Sequence, residues 1–230
     1  NDAPVIAFAT GNDLGSLSED GTLTASGALT SSDIDNGATA TWSIQGNATG
    51  TYGSLALDGN SGNWTYTLAN GTNGTSSAVQ DLADGESVSE SFTVRVTDDQ
   101  GGFDQQTVTL TITGSNDDPV IAGTSSGAAQ EDNTLSATGT LTSSDIDNNA
   151  TATWSIEGSD TGTYGSLALT GNSGEWTYTL NNGTDGTASV VQNLAAGESV
   201  TDTFTVQVLD DQGGTDQQTV TVTITGTNDD

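Results

Sequence analysis

The sequence contains no cysteine, no methionine and no histidine, and its one basic residue is Arg95, so lysine is absent as well. Each absence closes off a class of chemistry. Without cysteine there are no disulfides and no thiolate zinc sites, and without histidine there are no imidazole ligands. The usual nucleophile–base pairs cannot be assembled from what remains, so the chain is read as not an enzyme. A carboxylate pair such as Asp33 and Asp35 is the one alternative, but two residues apart in a turn they read as metal ligands rather than glycosidase groups. No basic patch exists to neutralise phosphate, which excludes nucleic acid and argues against anionic membrane surfaces. No run approaches the ~20 apolar residues of a membrane span, so membrane insertion is excluded. Signal-peptide features are missing too, and the chain reads as an internal piece of a longer protein.

What is present is acid and glycine. Thirty-one Asp and Glu against one Arg give a formal net charge of −30, with 30 glycines and only 31% hydrophobic residues. Low hydrophobicity with high charge is the composition of a disordered chain. Two features override that reading: the apolar residues alternate strictly, and the acids fall in short motifs that recur. A compact body with this charge repels itself unless cations gather on it, and hard divalent ions with oxygen ligands are the natural partners.

The dominant feature is an internal repeat. Glu19–Asp118 aligns with Glu131–Asp230 at a constant offset of 112, with 24 differences over 100 positions and no gap. Trp42, Tyr52, Trp64 and Phe92 map onto Trp154, Tyr164, Trp176 and Phe204. The stretch Pro4–Glu19 is three residues longer than Pro119–Glu131. We place two domains at 1–115 and 116–230. The chain opens Asn1-Asp2-Ala3-Pro4, the junction reads Asn116-Asp117-Asp118-Pro119, and the end is Asn228-Asp229-Asp230. Further repeats on both sides are therefore expected.

Within the first repeat, apolar residues alternate in seven short stretches: Val5–Ala9, Thr22–Thr30, Ala38–Ile44, Ser54–Leu57, Trp64–Leu68, Val88–Val96 (with a polar exception at Glu90) and Thr107–Ile112. Period-2 alternation bounded by Gly and Asn turns marks half-buried antiparallel strands. About seven short strands per repeat predict an all-β chain of two tandem immunoglobulin-like Greek-key sandwiches. The tryptophans are read as core, and Tyr52 and Tyr164 as packed turn residues.

Acids recur at fixed places: Glu19-Asp20, Asp33-Ile34-Asp35, Glu86, Asp98-Asp99 and Asn116-Asp117-Asp118, with Glu131, Asp145, Asp147, Glu198, Asp210 and Asp211 matching in the second repeat. Strand ends alternate between the two poles of a sandwich. Asp145, Asp147 and Asp210 are thus expected at the entry pole of repeat 2, and Glu19 and Glu86 at the exit pole of repeat 1, with Asn116, Asp117 and Asp118 between. Together they can offer the six to eight oxygens that calcium prefers. The outer ends are expected to carry half-sites, with Asp33, Asp35 and Asp98 at the start, and Glu131, Glu198 and Asp229 at the finish. Lone acids of this kind also serve as solvated turn caps.

Taken together, Ser32-Asp33-Ile34-Asp35, Gly50 to Leu55, Trp64-Thr65-Tyr66, Gly85-Glu86, Phe92 to Asp98, Gly101-Gly102 and the junction Gly114 to Pro119 resemble the VCBS repeat, a cadherin-like module of large bacterial surface proteins secreted by the type I route. The resemblance covers nearly the whole chain in both copies. It implies that Glu19 is similar to the first-strand glutamate of a cadherin calcium site and Glu86 to the acid before the sixth strand. By the same likeness, Asn116-Asp117 is similar to the linker Asn-Asp, Asp145 and Asp147 to the Asp-x-Asp of the next domain, and Asp210 to the acid ending its sixth strand. Gly114 stands where cadherin linkers carry an acid, and Asp84-Gly85-Glu86 and Ala196-Gly197-Glu198 replace Asp-Arg-Glu, so one or two calcium ions are expected at the junction rather than three.

The resemblance implies a calcium-rigidified extender of a large RTX-type adhesin, secreted to the bacterial cell surface. It would be a monomer whose partners are neighbouring repeats of the same chain. The alternative is a carbohydrate- or protein-binding module acting through the repeats themselves, for instance by sugars stacking on Tyr52 or Tyr164. Asn-x-Thr sequons such as Asn63-Trp64-Thr65, and the Thr-x-Thr stretches near Thr107 and Thr219, suit surface positions and carry no further reading.

Overall fold

In a computed structural model describing residues 1–184 and 187–228, internal contacts divide the chain into two units, Asn1–Asn116 with Ile146–Asn149, and Asp117–Asp145 with Ala150–Asp230. No α-helix occurs among the described residues, and hence none is long and apolar enough to cross a membrane.

The first unit contains β1 (Val5–Ala7), β2 (Leu14–Ser18), β3 (Thr24–Ala28), β4 (Thr30–Ser32), β5 (Ala40–Gln45), β6 (Gly53–Leu57), β7 (Asn63–Leu68), β8 (Ser87–Asp98) and β9 (Phe103–Thr113). One layer is the sheet β2-β9-β8-β5; the other is made of β3-β7-β6 together with the pair β1-β4. All pairings are antiparallel except β2 with β9, which run parallel from Leu14↔Thr109 to Ser18↔Thr113. β3 and β4 are separated only by Leu29, which is fully buried and donates its N–H to Gly62 O at 3.1 Å.

The second unit repeats this plan with β10 (Val120–Gly123), β11 (Ser126–Gln130), β12 (Ser136–Ser144), β13 (Ala152–Glu157), β14 (Gly165–Leu169), β15 (Glu175–Leu180), β16 (Ser199–Asp210) and β17 (Thr215–Thr225). Its sheets are β10-β12-β15-β14 and β11-β17-β16-β13, and β11–β17 is again the parallel pair. This is the expected two-layer sandwich, found twice.

Each unit has its own core. Strand β7 buries Trp64, Tyr66 and Leu68 and exposes the residues between them, as alternation requires. The inward faces of β8 and β9 add Phe92, Val94, Val96, Val108, Leu110 and Ile112. The Trp64 indole donates to Asn12 O at 2.8 Å, and the Trp176 indole to Thr124 O at 2.8 Å, so neither ring leaves its N–H unpaired in the interior. Room for the second ring depends on Gly139, where a Cβ would sit 2.4 Å from Trp176 Cζ2.

One strand per unit escaped the alternation rule. β2 and β11 are short and parallel, and between them bury only Leu17 and Ala129 deeply, while Leu14 stands 57% exposed. Their sequences, Leu-Gly-Ser-Leu-Ser and Ser-Gly-Ala-Ala-Gln, carry no strand signature. The central strands β8, β9, β16 and β17 also extend to 11 or 12 residues, beyond their apolar centres. A 12-residue strand at ~3.3 Å per residue sets the two poles of a unit roughly 35 Å apart.

Candidate metal sites at the domain poles

At the entry pole of the first unit, the turn after β4 carries Asp33 and Asp35. Asp35 N–H donates to Asp33 Oδ1 at 2.9 Å, an Asx turn that fixes the pair, and Asp2 N–H donates to Asp35 Oδ2 at 2.8 Å. Asp33 Oδ2 is buried and accepts no hydrogen bond. Asp98, closing β8 at this pole, is 8% exposed. Its Oδ1 accepts from Gln100 N–H and Gly102 N–H, both at 2.8 Å, and its Oδ2 from Asn1 Nδ2 at 3.2 Å. Desolvation disfavours the Asp98 charge, but the hydrogen bonds from Gln100, Asn1, Gly102 and Gly101 outweigh it and hold the carboxyl below its ordinary range. A Cβ at Gly102 would lie 2.5 Å from Asp98 Oδ2, so a larger residue there would displace that carboxylate.

At the exit pole, Glu19 is fully buried; its N–H donates to Thr113 O at 3.0 Å and its Oε2 accepts from Ser115 N–H at 3.2 Å. Glu86 closes a tight turn, donating N–H to Ala83 O at 2.9 Å and accepting from Ala83 N–H at 3.3 Å through Oε2. The chain then leaves β9 and reaches Asn116.

The second unit begins at Asp117, 7% exposed, followed by Asp118, which is exposed. Asp145 and Asp210 share a cavity of ≈ 80 Å³ with Pro119 and Ser143. Asp210 Oδ1 accepts from Gln212 N–H at 2.7 Å, Gly214 N–H at 2.9 Å and Gly213 N–H, the arrangement seen at Asp98. Asp147, in the segment Ile146–Asn149 that groups with the first unit, is 6% exposed. At the exit pole Glu131 repeats Glu19: it is fully buried, and Oε2 accepts from Thr227 N–H at 2.8 Å. Glu131 Oε1 is buried and accepts no hydrogen bond. Glu198 repeats the Glu86 turn, with Ala195 N–H donating to Oε2 at 2.9 Å. Asp229 lies outside the described residues.

The structure thus assembles Asp33, Asp35 and Asp98 at one pole, Glu19 and Glu86 at the other, and Asp145 with Asp210 in the second unit. Among the described residues, no group of three or more acidic side chains forms a ready cage around one point. The donor set still fits a hard cation. Every oxygen belongs to a carboxylate or an amide, and Glu131 Oε1 and Asp33 Oδ2 are buried oxygens without a hydrogen-bond donor, an arrangement costly for an anion unless a positive partner completes it.

A second acidic feature is interior. Glu90, the polar exception in β8, points inward; its Oε2 accepts from the Tyr66 hydroxyl at 2.8 Å and its Oε1 from Thr51 N–H and Tyr52 N–H. In the second unit Asp202, 4% exposed, accepts from Tyr178 Oη at 2.8 Å, Thr163 N–H at 2.9 Å, and Tyr164 and Gly165 N–H at 3.0 Å each. The Gly-Thr-Tyr-Gly motif is therefore a cradle of backbone N–H groups for a buried carboxylate. Its glycines are required by contact, since a Cβ at Gly162 would lie 2.5 Å from Asp202 Cγ and one at Gly53 would lie 2.3 Å from Thr67 O. Burial, then the hydrogen bond and charge of the acid, push Tyr66 and Tyr178 well above the ordinary tyrosine pKa. Sequence reasoning missed this role, although the break in alternation at Glu90 marked the place. Tyr52 and Tyr164 are half-buried and pack against the cores.

Residues 1–114 and 116–226 each match the family model of the bacterial cadherin-like domain. A comparison with curated protein sequences found no match. Among solved structures, the chain is similar to PcdhgB3 EC1-4, with a TM-score of 0.56 and 16% identity, covering 99% of this chain and 50% of that one. It is also similar to mouse Cadherin-23 EC22-24, with a TM-score of 0.54, 15% identity and coverage of 98% and 67%. For the protocadherin GammaB4 extracellular domain the values are 0.53, 19%, 97% and 32%. The chain thus spans only half the length of the first and a third of the last. At these identities the likeness is one of fold.

Proposed function

Since the chain belongs to the bacterial cadherin-like domain family over both of its repeats, a family of adhesion and structural modules that are generally non-enzymatic, we propose that it is a calcium-rigidified extender within a large secreted adhesin, holding ligand-binding domains away from the bacterial surface. The observation that carries this reading is the buried glutamate at the exit pole of each repeat, Glu19 and Glu131. Each is fully enclosed, and Glu131 retains a carboxylate oxygen with no donor. A side chain of this kind is costly to bury and gains from a divalent cation.

In this reading Glu19, Glu86, Asn116, Asp117, Asp118, Asp145, Asp147 and Asp210 hold the metal where the repeats meet. Asp33, Asp35 and Asp98, and Glu131, Glu198 and Asp229, are the half-sites for further repeats. Bound calcium would supply positive charge and fixed oxygen coordination. The backbone N–H groups of Gln100, Gly102, Gln212 and Gly214 orient the carboxylates of Asp98 and Asp210, so those acids are positioned before any ion arrives. Binding free energy that requires both repeats at once restricts their relative motion.

Calorimetric titration of the two-repeat chain with calcium, after removal of trace metal, tests the assignment. Saturable uptake of one or two ions per chain is expected at the junction, in addition to weaker half-site binding. No heat and no retained calcium on equilibrium dialysis would refute it.

A further inference from the structure

The parallel pairs β2–β9 and β11–β17 are the only parallel ladders among the described strands, and each joins the second strand of its unit to the last. Asp2 lies beside Asp35 at the entry pole, whereas Thr113, the end of β9, pairs with Ser18 at the opposite pole. A pull on the chain at its two ends therefore drags β2 and β9 in opposite directions along their own axes. The load falls on all five residue pairs at once, from Leu14↔Thr109 to Ser18↔Thr113, instead of opening them one by one.

We propose that each unit is built to bear tension along the chain, and that this parallel pair is the clamp that resists it. The proposal deepens the extender reading and rests on it only for the source of the load.

The details around the pair suit this role. Its ends are closed by Thr109 N–H to Asp13 O at 2.9 Å and Glu19 N–H to Thr113 O at 3.0 Å, with the Thr113 hydroxyl donating to Leu17 O at 3.2 Å. The second unit repeats the closure with Thr221 N–H to Ser125 O at 2.9 Å and Glu131 N–H to Thr225 O at 3.0 Å. The short strand upstream is a weaker first element. β1 pairs with β4 over three residues and is pinned to the other sheet by Ile6 N–H donating to Asp104 Oδ2 at 2.9 Å. β10 pairs over four residues and is pinned by Ile121 N–H to Asp216 Oδ2 at 2.8 Å. Under load β1 slips first, the segment to Asp13 pays out at about 3.4 Å per residue, and the force arrives at β2.

Both clamp strands carry a glycine at the same place, Gly15 and Gly127. A Cβ on Gly15 would come within 2.6 Å of Leu110 Cδ1 and 2.8 Å of Ala25 Cβ. Glycine lets β2 and β11 lie close to the core while they pair with β9 and β17.

The test is single-molecule pulling on the two-repeat chain held by its ends, with and without a calcium chelator, alongside equilibrium denaturation. Forced unfolding reports the unfolding rate along the pulling path, not equilibrium stability. Gly15→Ala should lower the unfolding force of one of the two repeats below that of its unaltered neighbour. Leu55→Ala, in β6 away from the path, should leave the force nearly unchanged while costing more equilibrium stability. Should Gly15→Ala fail to fold, Thr113→Val removes only the hydroxyl bond to Leu17 O and should move the force in the same direction. Forces that track equilibrium stability whichever strand is altered would overturn the proposal. Because the clamp lies within a unit, its signature should persist in chelator, whereas traces identical with and without calcium would count against the extender reading alone.

Discussion

The Tyr178 hydroxyl donates a 2.8 Å hydrogen bond to Asp202 inside the second sandwich, and Tyr66 makes a bond of the same length to Glu90 in the first. The acid differs by one methylene between the repeats, yet both reach the tyrosine and the same Gly-Thr-Tyr-Gly backbone. The pairing ties the middle of β8 or β16 to the turn before β6 or β14, locking the two layers of each unit together.

Replacing Asp202 by Ala removes the acceptor from three backbone N–H groups and the phenol together. Buried donors left unmade are expensive, and the cost should be about 3 kcal/mol of unit stability. Tyr178→Phe gives up a single bond and should cost about 1 kcal/mol. In a double-mutant cycle read by chemical denaturation, the two effects should be strongly non-additive. Simple additivity would mean that the pair does not act as a unit.

Burial of these tyrosines, reinforced by the same bond, sets an alkaline limit. Folding raises the pKa of Tyr66 and Tyr178 above the ordinary value of 10.0. Above pH 10 the folded chain therefore holds protons that the unfolded chain has released. The stabilisation is fully present below pH 10 and is lost as pH rises beyond it. With no lysine or cysteine in the sequence, tyrosines dominate titration there. The denaturation midpoint should stay level up to pH 10 and then fall, and Tyr178→Phe should flatten the fall for the second unit. A midpoint that ignores alkaline pH would contradict the assignment.

The poles can be separated by substitution. Glu19→Gln keeps the shape of the buried side chain but removes its negative charge and one of its two ligating oxygens at the proposed junction, and should weaken the tightest calcium binding by about tenfold or more. Glu131→Gln alters an outer half-site and should leave that tightest event unchanged. Equal effects of the two substitutions would show that the junction has no privileged site.

The layers and most strands were legible because burial enforces a period of two. Trp64, Tyr66 and Leu68 alternate in sequence and are all buried in β7. β2 and β11 were not legible, since a short parallel strand rich in Gly, Ser and Ala buries too little apolar surface to leave a pattern. Asp33, Asp35 and Asp98 could be placed at one pole by counting strand ends, and they stand at one pole of the first unit. The interior acids could not be read correctly, because a carboxylate on an inward face looks like an error until its donors are known. Those donors are the N–H groups of Thr51 and Tyr52, which no side-chain identity announces. The pins at Asp104 and Asp216 were hidden for the same reason: each accepts from a backbone N–H of a strand about 95 residues away in sequence.

The central claim is that calcium fixes the two repeats with respect to each other. Small-angle scattering of the two-repeat chain in calcium and in chelator addresses it most directly. The account predicts one well-defined elongated particle in calcium, and a broader distribution with a smaller mean extension once calcium is removed, with both sandwiches still folded. Superimposable profiles in the two conditions would contradict it.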